Sequence, residues 1–73
     1  MNERQMQNAL ESLLANLIEA QRRGRDEIEM PDGMGEITEV EDFVQAGVLT
    51  QDKGLIIRLA DGSEFQLTIN QSR

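Results

Sequence analysis

Apolar residues recur along the first third of the chain with a helical period. Met6, Ala9, Leu10, Leu13, Leu14, Leu17 and Ile18 fall at i, i+3, i+4, i+7, i+8, i+11 and i+12, which draws one stripe down an α-helix. The spacing predicts a helix over 3–23. Asn2 is placed to cap its first turn, with Gln5 reaching back in a capping-box arrangement. At the other end Arg22 and Arg23 meet the negative pole of the helix, and Gly24 follows as the C' residue. Glu19 and Arg23 stand one turn apart with the acid first, the favourable order. A helix of this length is marginal alone in water, so Leu10, Leu13, Leu14 and Leu17 are expected to be covered by a sheet or by a second chain.

The period changes to two in the last third. Leu55, Ile57 and Leu59 alternate with other residues, Ala60, Asp61 and Gly62 supply turn chemistry, and Phe65, Leu67 and Ile69 alternate again, the signature of a hairpin. A two-residue loop at Asp61 and Gly62 sets Leu59 against Glu64 and Ile57 against Gln66. A three-residue loop of Ala60, Asp61 and Gly62, ending in a glycine bulge, pairs Ile57 with Phe65, Leu55 with Leu67, and Arg58 with Glu64. The second register matches apolar with apolar and forms one ion pair, and is preferred.

Asp52, Lys53 and Gly54 carry a similar turn signal, so a strand over roughly 43–50 is expected to join the hairpin in a three-stranded meander. A competing reading opens a short helix at Thr38, capped with Glu41, and closes it at Gly47 with Val48 behind it. Further upstream, Ile28 and Met30 alternate with Glu27 and Glu29 ahead of Pro31, Asp32 and Gly33, as in a short edge strand entering a turn. The expected architecture is α+β: one domain, 1–73, with an N-terminal amphipathic helix packed on a small antiparallel sheet whose C-terminal meander spans about 43–70. Residues 71–73 are expected to fray.

Seventy-three residues leave room for one thin core, and two Phe with no Trp or Tyr do little to thicken it. Self-association compensates for a thin core, so a homo-oligomer is expected, a dimer through Leu10, Leu13, Leu14 and Leu17. Ile56, Val44 and Val48 are expected on the sheet face opposite the helix. No apolar run reaches membrane-spanning length and no leader pattern opens the chain, which points to the cytoplasm.

Charge is distributed unevenly. The net charge is -7, yet residues 1–25 and 43–73 are nearly balanced. The excess sits in 26–42, where Asp26, Glu27, Glu29, Asp32, Glu36, Glu39, Glu41 and Asp42 occur without a single base. Such charge on a strand and loop blocks edge-to-edge aggregation. It also suits a cationic partner, because acids at alternate positions of an extended segment repeat every ~6.6 Å, close to phosphate spacing along a nucleic-acid strand. Glu27, Glu29, Asp32, Glu36, Glu39, Glu41 and Asp42 are therefore the candidate partner-binding residues, with Met34 as an apolar anchor. Direct binding to nucleic acid or anionic lipid is disfavoured by the same charge. Arg22, Arg23 and Arg25 form the one basic cluster, a candidate anion or nucleotide site whose plainer roles are dipole compensation and pairing with Asp26 and Glu27.

Nothing in the chain assembles a catalytic signature. There is no Cys and no His, which removes thiol chemistry and the commonest general base. Ser12 and Ser63 lack a partner base, Lys53 sits beside Asp52, and no phosphate loop occurs. Paired acids such as Glu39 and Glu41, or Asp32 and Glu36, lack the spacing of a calcium loop. The expectation is a non-enzymatic protein with no metal and no cofactor. Three functions compete: an inhibitor that docks its acidic surface on a basic nucleic-acid-processing protein, an adaptor that acts through homo-oligomerisation, and a nucleotide binder. In size, acidity and lack of Cys and His the chain is similar in format to the small inhibitors that bacteriophages use against host defence, anti-CRISPR proteins among them. The likeness covers no motif.

Overall fold

The computed structural model describes residues 1–24, 33 and 35–73. It opens with α1 (Glu3–Arg22), followed by β1 (Ile37–Asp42), β2 (Lys53–Leu59) and β3 (Glu64–Ile69), and the three strands form one antiparallel sheet in the order β1-β2-β3. The α+β architecture is the expected one. The proposed edge strand at Ile28 and Met30 lies outside the described residues.

The helix ends follow the local chemistry. Asn2 Oδ1 accepts from the Gln5 N–H at 2.8 Å while Gln5 Oε1 accepts from the Asn2 N–H at 2.8 Å, so two otherwise orphaned donors are satisfied reciprocally. Arg23 is the C-cap, Gly24 follows at φ +63°, and Glu19 holds Arg23 at 3.2 Å. The covered face is only in part the one that the leucines mark. Gln7 and Ile18 are the buried residues of α1, Leu10, Leu14 and Leu17 are only half-buried, and Leu13 stays 64% exposed. Met6, which heads the apolar stripe, is also exposed.

This rotation is set by two glutamines that bond to the sheet. Beyond the end of β1, the Gly54 N–H of β2 has no strand to pair with, and Gln7 Oε1 accepts it at 2.9 Å. At the other end of the helix, Gln21 Nε2 donates to the Ile37 carbonyl at 2.9 Å and Gln21 Oε1 accepts from the Ile37 N–H at 3.3 Å. A side-chain amide thus does for the edge of β1 what a neighbouring strand would do. The helix therefore runs antiparallel to β1, with its N-terminal half at the Asp42 end.

The hairpin has the three-residue loop. Ile57 pairs with Phe65, Leu55 with Leu67, and Arg58 with Glu64. Gly62, at φ +93°, closes the turn, its N–H donating to the Leu59 carbonyl, and Leu59 N–H then donates to Ser63 O at 2.9 Å.

The third strand differs from both expectations. It is neither a strand over 43–50 nor a helix from Thr38 to Gly47, but β1 at Ile37–Asp42, so the sheet spans 37–69 and not 43–70. Ile37, Thr38 and Val40 are β-branched, and Glu39, Val40 and Glu41 alternate, which outweighs the Thr38 capping pattern. Between Ile37 and Glu39 the register slips by one residue, a β-bulge that places Ile37 and Val40 on one face although they are three apart. Thr38 Oγ1, freed from capping, donates to the Arg58 carbonyl at 3.1 Å. The capping geometry occurs at Asp42 instead. Asp42 Oδ1 accepts from Gln45 N–H at 2.7 Å and Gln45 Oε1 from Asp42 N–H at 3.2 Å, after which one turn closes at Gly47 with Val48 N–H on the Phe43 carbonyl. Lys53 and Gly54, expected in a turn, already belong to β2. Residue Gln71, expected to fray, donates its N–H to Glu3 at 3.0 Å.

Residues opposite one another in a sheet share a face. Ile37, Val40, Asp42, Leu55, Ile57, Leu59, Phe65, Leu67 and Ile69 form one side, and Glu39, Glu41, Gly54, Ile56, Arg58, Glu64, Gln66 and Thr68 the other. The helix covers the first, since Glu11 lies beside Asp42 and Met6 shares a small notch with Ile69. Its contacts are densest on β1 and thin out across β2 to β3. On β3 Phe65 remains 57% exposed and Leu67 42%. On the second face the ring of buried Phe43 lies against Gly54, and Ile56 is buried as expected for the side away from the helix. Val44, expected there too, points into solvent, and Val48 is half-buried.

Candidate functional site

The chemically distinctive surface is the sheet face away from the helix. β1 projects Glu39 and Glu41 onto it, two residues apart, because the bulge at Thr38 fixes their phase. β2 supplies Arg58 directly opposite Glu39, and β3 supplies Glu64 opposite Arg58. One guanidinium therefore serves three carboxylates: Nη1 donates to Glu39 at 3.0 Å and to Glu41, and Nε donates to Glu64 at 2.9 Å. The Glu41 hydrogen bond, then that of Glu64, raise the Arg58 pKa above its ordinary value against an opposing effect of burial. Arg58 stays charged throughout the accessible pH range.

The cluster is electrically incomplete. Three carboxylates around one cation leave two negative charges on a sheet face, held in a fixed order by the strands. The side chains of Glu39 and Glu64 are half in solvent, at 53% and 52%, and Glu41 is more enclosed at 24%. Among the described residues no group of three or more acids or other ligating residues is arranged to hold a metal ion. Within this cluster the central position is occupied by the guanidinium.

The other expected partner-binding residues are dispersed. Glu36 is exposed just ahead of β1. Asp42 belongs to the helix side of the sheet, where it holds the following turn and faces Glu11. Glu27, Glu29, Asp32 and Met34 lie outside the described residues. The eight-acid block is thus divided by the pleat: Glu39 and Glu41 act together, and Asp42 does not join them.

Of the basic cluster, Arg22 and Arg23 are exposed, Arg23 is paired with Glu19, and Arg25 lies outside the described residues. Ser12 is exposed on α1, while Ser63 belongs to the hairpin loop, where its N–H donates to Asp61 Oδ1 at 2.8 Å. The Ser63 side chain, then its backbone, hold the Asp61 carboxyl below the usual range. Lys53 begins β2 beside no acid that it pairs with among the described residues.

On the helix side, half-buried Glu11 has a carboxylate oxygen, Oε2, enclosed without a hydrogen-bond partner among the described residues. Burial, and secondarily Asp42, push its pKa up. Farther along the same face, Ile57, Leu59 and Phe65 line a shallow groove with Asp61, Ser63 and Gly33.

The Arg58–Glu64 pair was legible in the hairpin register. The convergence of Glu39 and Glu41 on the same guanidinium was missed, because β1 was expected several residues too late. The signal that would have found it is the alternation of Glu39, Val40 and Glu41 behind β-branched Ile37 and Thr38. Comparison with protein-family models, curated proteins and solved structures finds no match to this chain.

Proposed function

We propose that this protein is a non-catalytic binding module whose acidic sheet face docks on a cationic surface of a partner protein that handles nucleic acid, and so blocks that surface. The observation that carries the reading is the arrangement of Glu39, Glu41 and Glu64 around a single Arg58, which leaves a fixed surplus of negative charge on a strand-ordered face. Carboxylates ordered in advance lose little side-chain entropy on meeting Arg or Lys. Glu39 and Glu41, two strand residues apart, turn their carboxylates to the same Arg58 Nη1, so the surplus charge is concentrated at one place on the face. A net charge of -7 adds long-range steering towards a basic partner. The chain thereby acts as a competitor of nucleic acid without binding it, which matches the format it shares with small phage inhibitors.

The test is capture of partners from native lysate with tagged wild type and with a Glu39→Lys/Glu41→Lys variant, at low and at high salt. The expected result is a basic nucleic-acid-processing protein retained at low salt, released at high salt, and lost in the double reversal. A partner held equally by both forms at both salts overturns the reading.

A further inference from the structure

The two edges of the sheet are treated differently. In an antiparallel sheet the N–H and C=O groups of successive residues point alternately to the two neighbours. On β1 the groups directed away from β2 belong to Ile37, Val40 and Asp42. Those of Ile37 are bonded by Gln21 and those of Asp42 by Gln45 and the Ala46 N–H, which leaves only those of Val40 without a partner among the described residues. On β3 the pairing of Leu59 N–H with Ser63 O fixes the phase, so Phe65, Leu67 and Ile69 face β2 while Glu64, Gln66 and Thr68 direct their backbone groups outwards. Among the described residues these outward groups meet no partner. The strand also lacks the usual protection of an edge: it has no Pro, no Lys, no bulge in its pairing with β2, and a single charge, Glu64.

We propose that β3 pairs with β3 of a second copy across a two-fold axis through Gln66, forming a continuous six-stranded sheet. The sequence EFQLTI is self-complementary in this register. Gln66 opposes its own symmetry mate, and Glu64 opposes Thr68, so no like charges meet on the polar side. The alternate pairs place Phe65 opposite Leu67 twice. These are the non-hydrogen-bonded positions, where side chains approach most closely, and both residues are the exposed apolar side chains of β3. Three hydrogen-bonded pairs give about six new backbone hydrogen bonds. Moving the axis to Glu64 sets carboxylate against carboxylate, and moving it to Thr68 puts Phe65 against Gln71. Of these three axes, each through a residue whose backbone groups face outwards, only the one at Gln66 both keeps carboxylates apart and sets Phe65 against an apolar residue. A two-fold normal to the sheet keeps both helices on one side and both Arg58 clusters on the other, and it leaves Glu39 and Glu41 at the outer strands. Glu64 belongs to both surfaces, but the pairing uses its backbone and leaves its side chain on the polar face with Arg58, so it does not require the acidic-face reading.

The test is sedimentation equilibrium of the purified chain from micromolar to millimolar concentration, with the fold of each variant checked by far-UV circular dichroism. Wild type is expected to approach twice the 8.2 kDa monomer mass as concentration rises. Gln66→Glu places two carboxylates at the axis, and Gln66→Pro removes an outward N–H without touching the β2–β3 ladder. Each is expected to raise the dimer dissociation constant by at least about tenfold. Leu13→Glu, on the helix, is expected to leave the dimer intact. Wild type that remains monomeric throughout overturns the proposal, as does dissociation by Leu13→Glu with both Gln66 variants still dimeric.

Discussion

Gly54 is the glycine whose site leaves no room for a side chain. It sits in the central strand, its N–H bonds to Gln7, its carbonyl accepts from Phe43 N–H, and the Phe43 ring lies over its α-carbon. A β-carbon built there stands 2.5 and 2.6 Å from two ring carbons of Phe43 and closer still to the Leu67 carbonyl oxygen. Gly54→Ala tests this packing. Replacing a strand glycine ordinarily gains about 0.5–1 kcal/mol from the unfolded chain. Here the Phe43 ring must move aside and the β2–β3 pair must separate locally, an overpacking that costs about 1–3 kcal/mol or more. A net loss of about 2 kcal/mol is a large share of the roughly 5 kcal/mol that a chain of this size holds. The assay is urea unfolding followed by circular dichroism at 222 nm, because the chain has neither Trp nor Tyr to report by fluorescence. With a slope near 1 kcal/mol per molar urea, the midpoint should fall by roughly 2 M. Phe43→Leu in the Gly54→Ala background should recover part of the loss, leaving the Leu67 carbonyl contact as the remainder. A midpoint unchanged or raised by Gly54→Ala refutes the packing argument, and strict additivity of the two substitutions refutes the role of the ring.

Two further outcomes follow from the polar contacts of α1. The raised pKa of Glu11 means that the folded state holds its proton more tightly than the unfolded state does, so this group favours folding at low pH and loses that contribution as pH rises through its folded value. Glu11→Gln should therefore stabilise the protein at neutral pH by a few tenths of a kcal/mol after solvent screening, and the gain should vanish in acid; urea midpoints across pH measure both, and a variant less stable at neutral pH contradicts the assignment. Gln21→Ala leaves the Ile37 N–H and carbonyl without their amide partner, at a cost of about 1–2 kcal/mol, and faster hydrogen exchange at the Ile37 amide is the site-specific readout; unaltered exchange there shows that Gln21 does not protect the edge.

The elements whose signals are local were legible in the chain. Asn2 with Gln5, Arg23 with Gly24, and the loop of Ala60, Asp61 and Gly62 each fix a boundary through hydrogen bonds that span only a few residues, so their geometry is contained in their sequence. The hairpin register followed from the same locality, because only one offset matches Ile57 with Phe65 and Arg58 with Glu64. Tertiary structure decided what depends on distant partners. Leucine periodicity marks an apolar stripe on α1, but the direction the helix faces was set by Gln7 and Gln21, whose amides satisfy backbone groups 47 and 16 residues away. Those bonds turn Leu13 outwards. The third strand formed at Ile37–Asp42 because β2 offered it a ladder, and that pairing overrode the Thr38 capping pattern. The acidic cluster has the same origin: a run of acids along a sequence has no face until a bulge and a pleat assign one. Pairing with β2 sent Glu39 and Glu41 to Arg58, and it sent Asp42 to the opposite side.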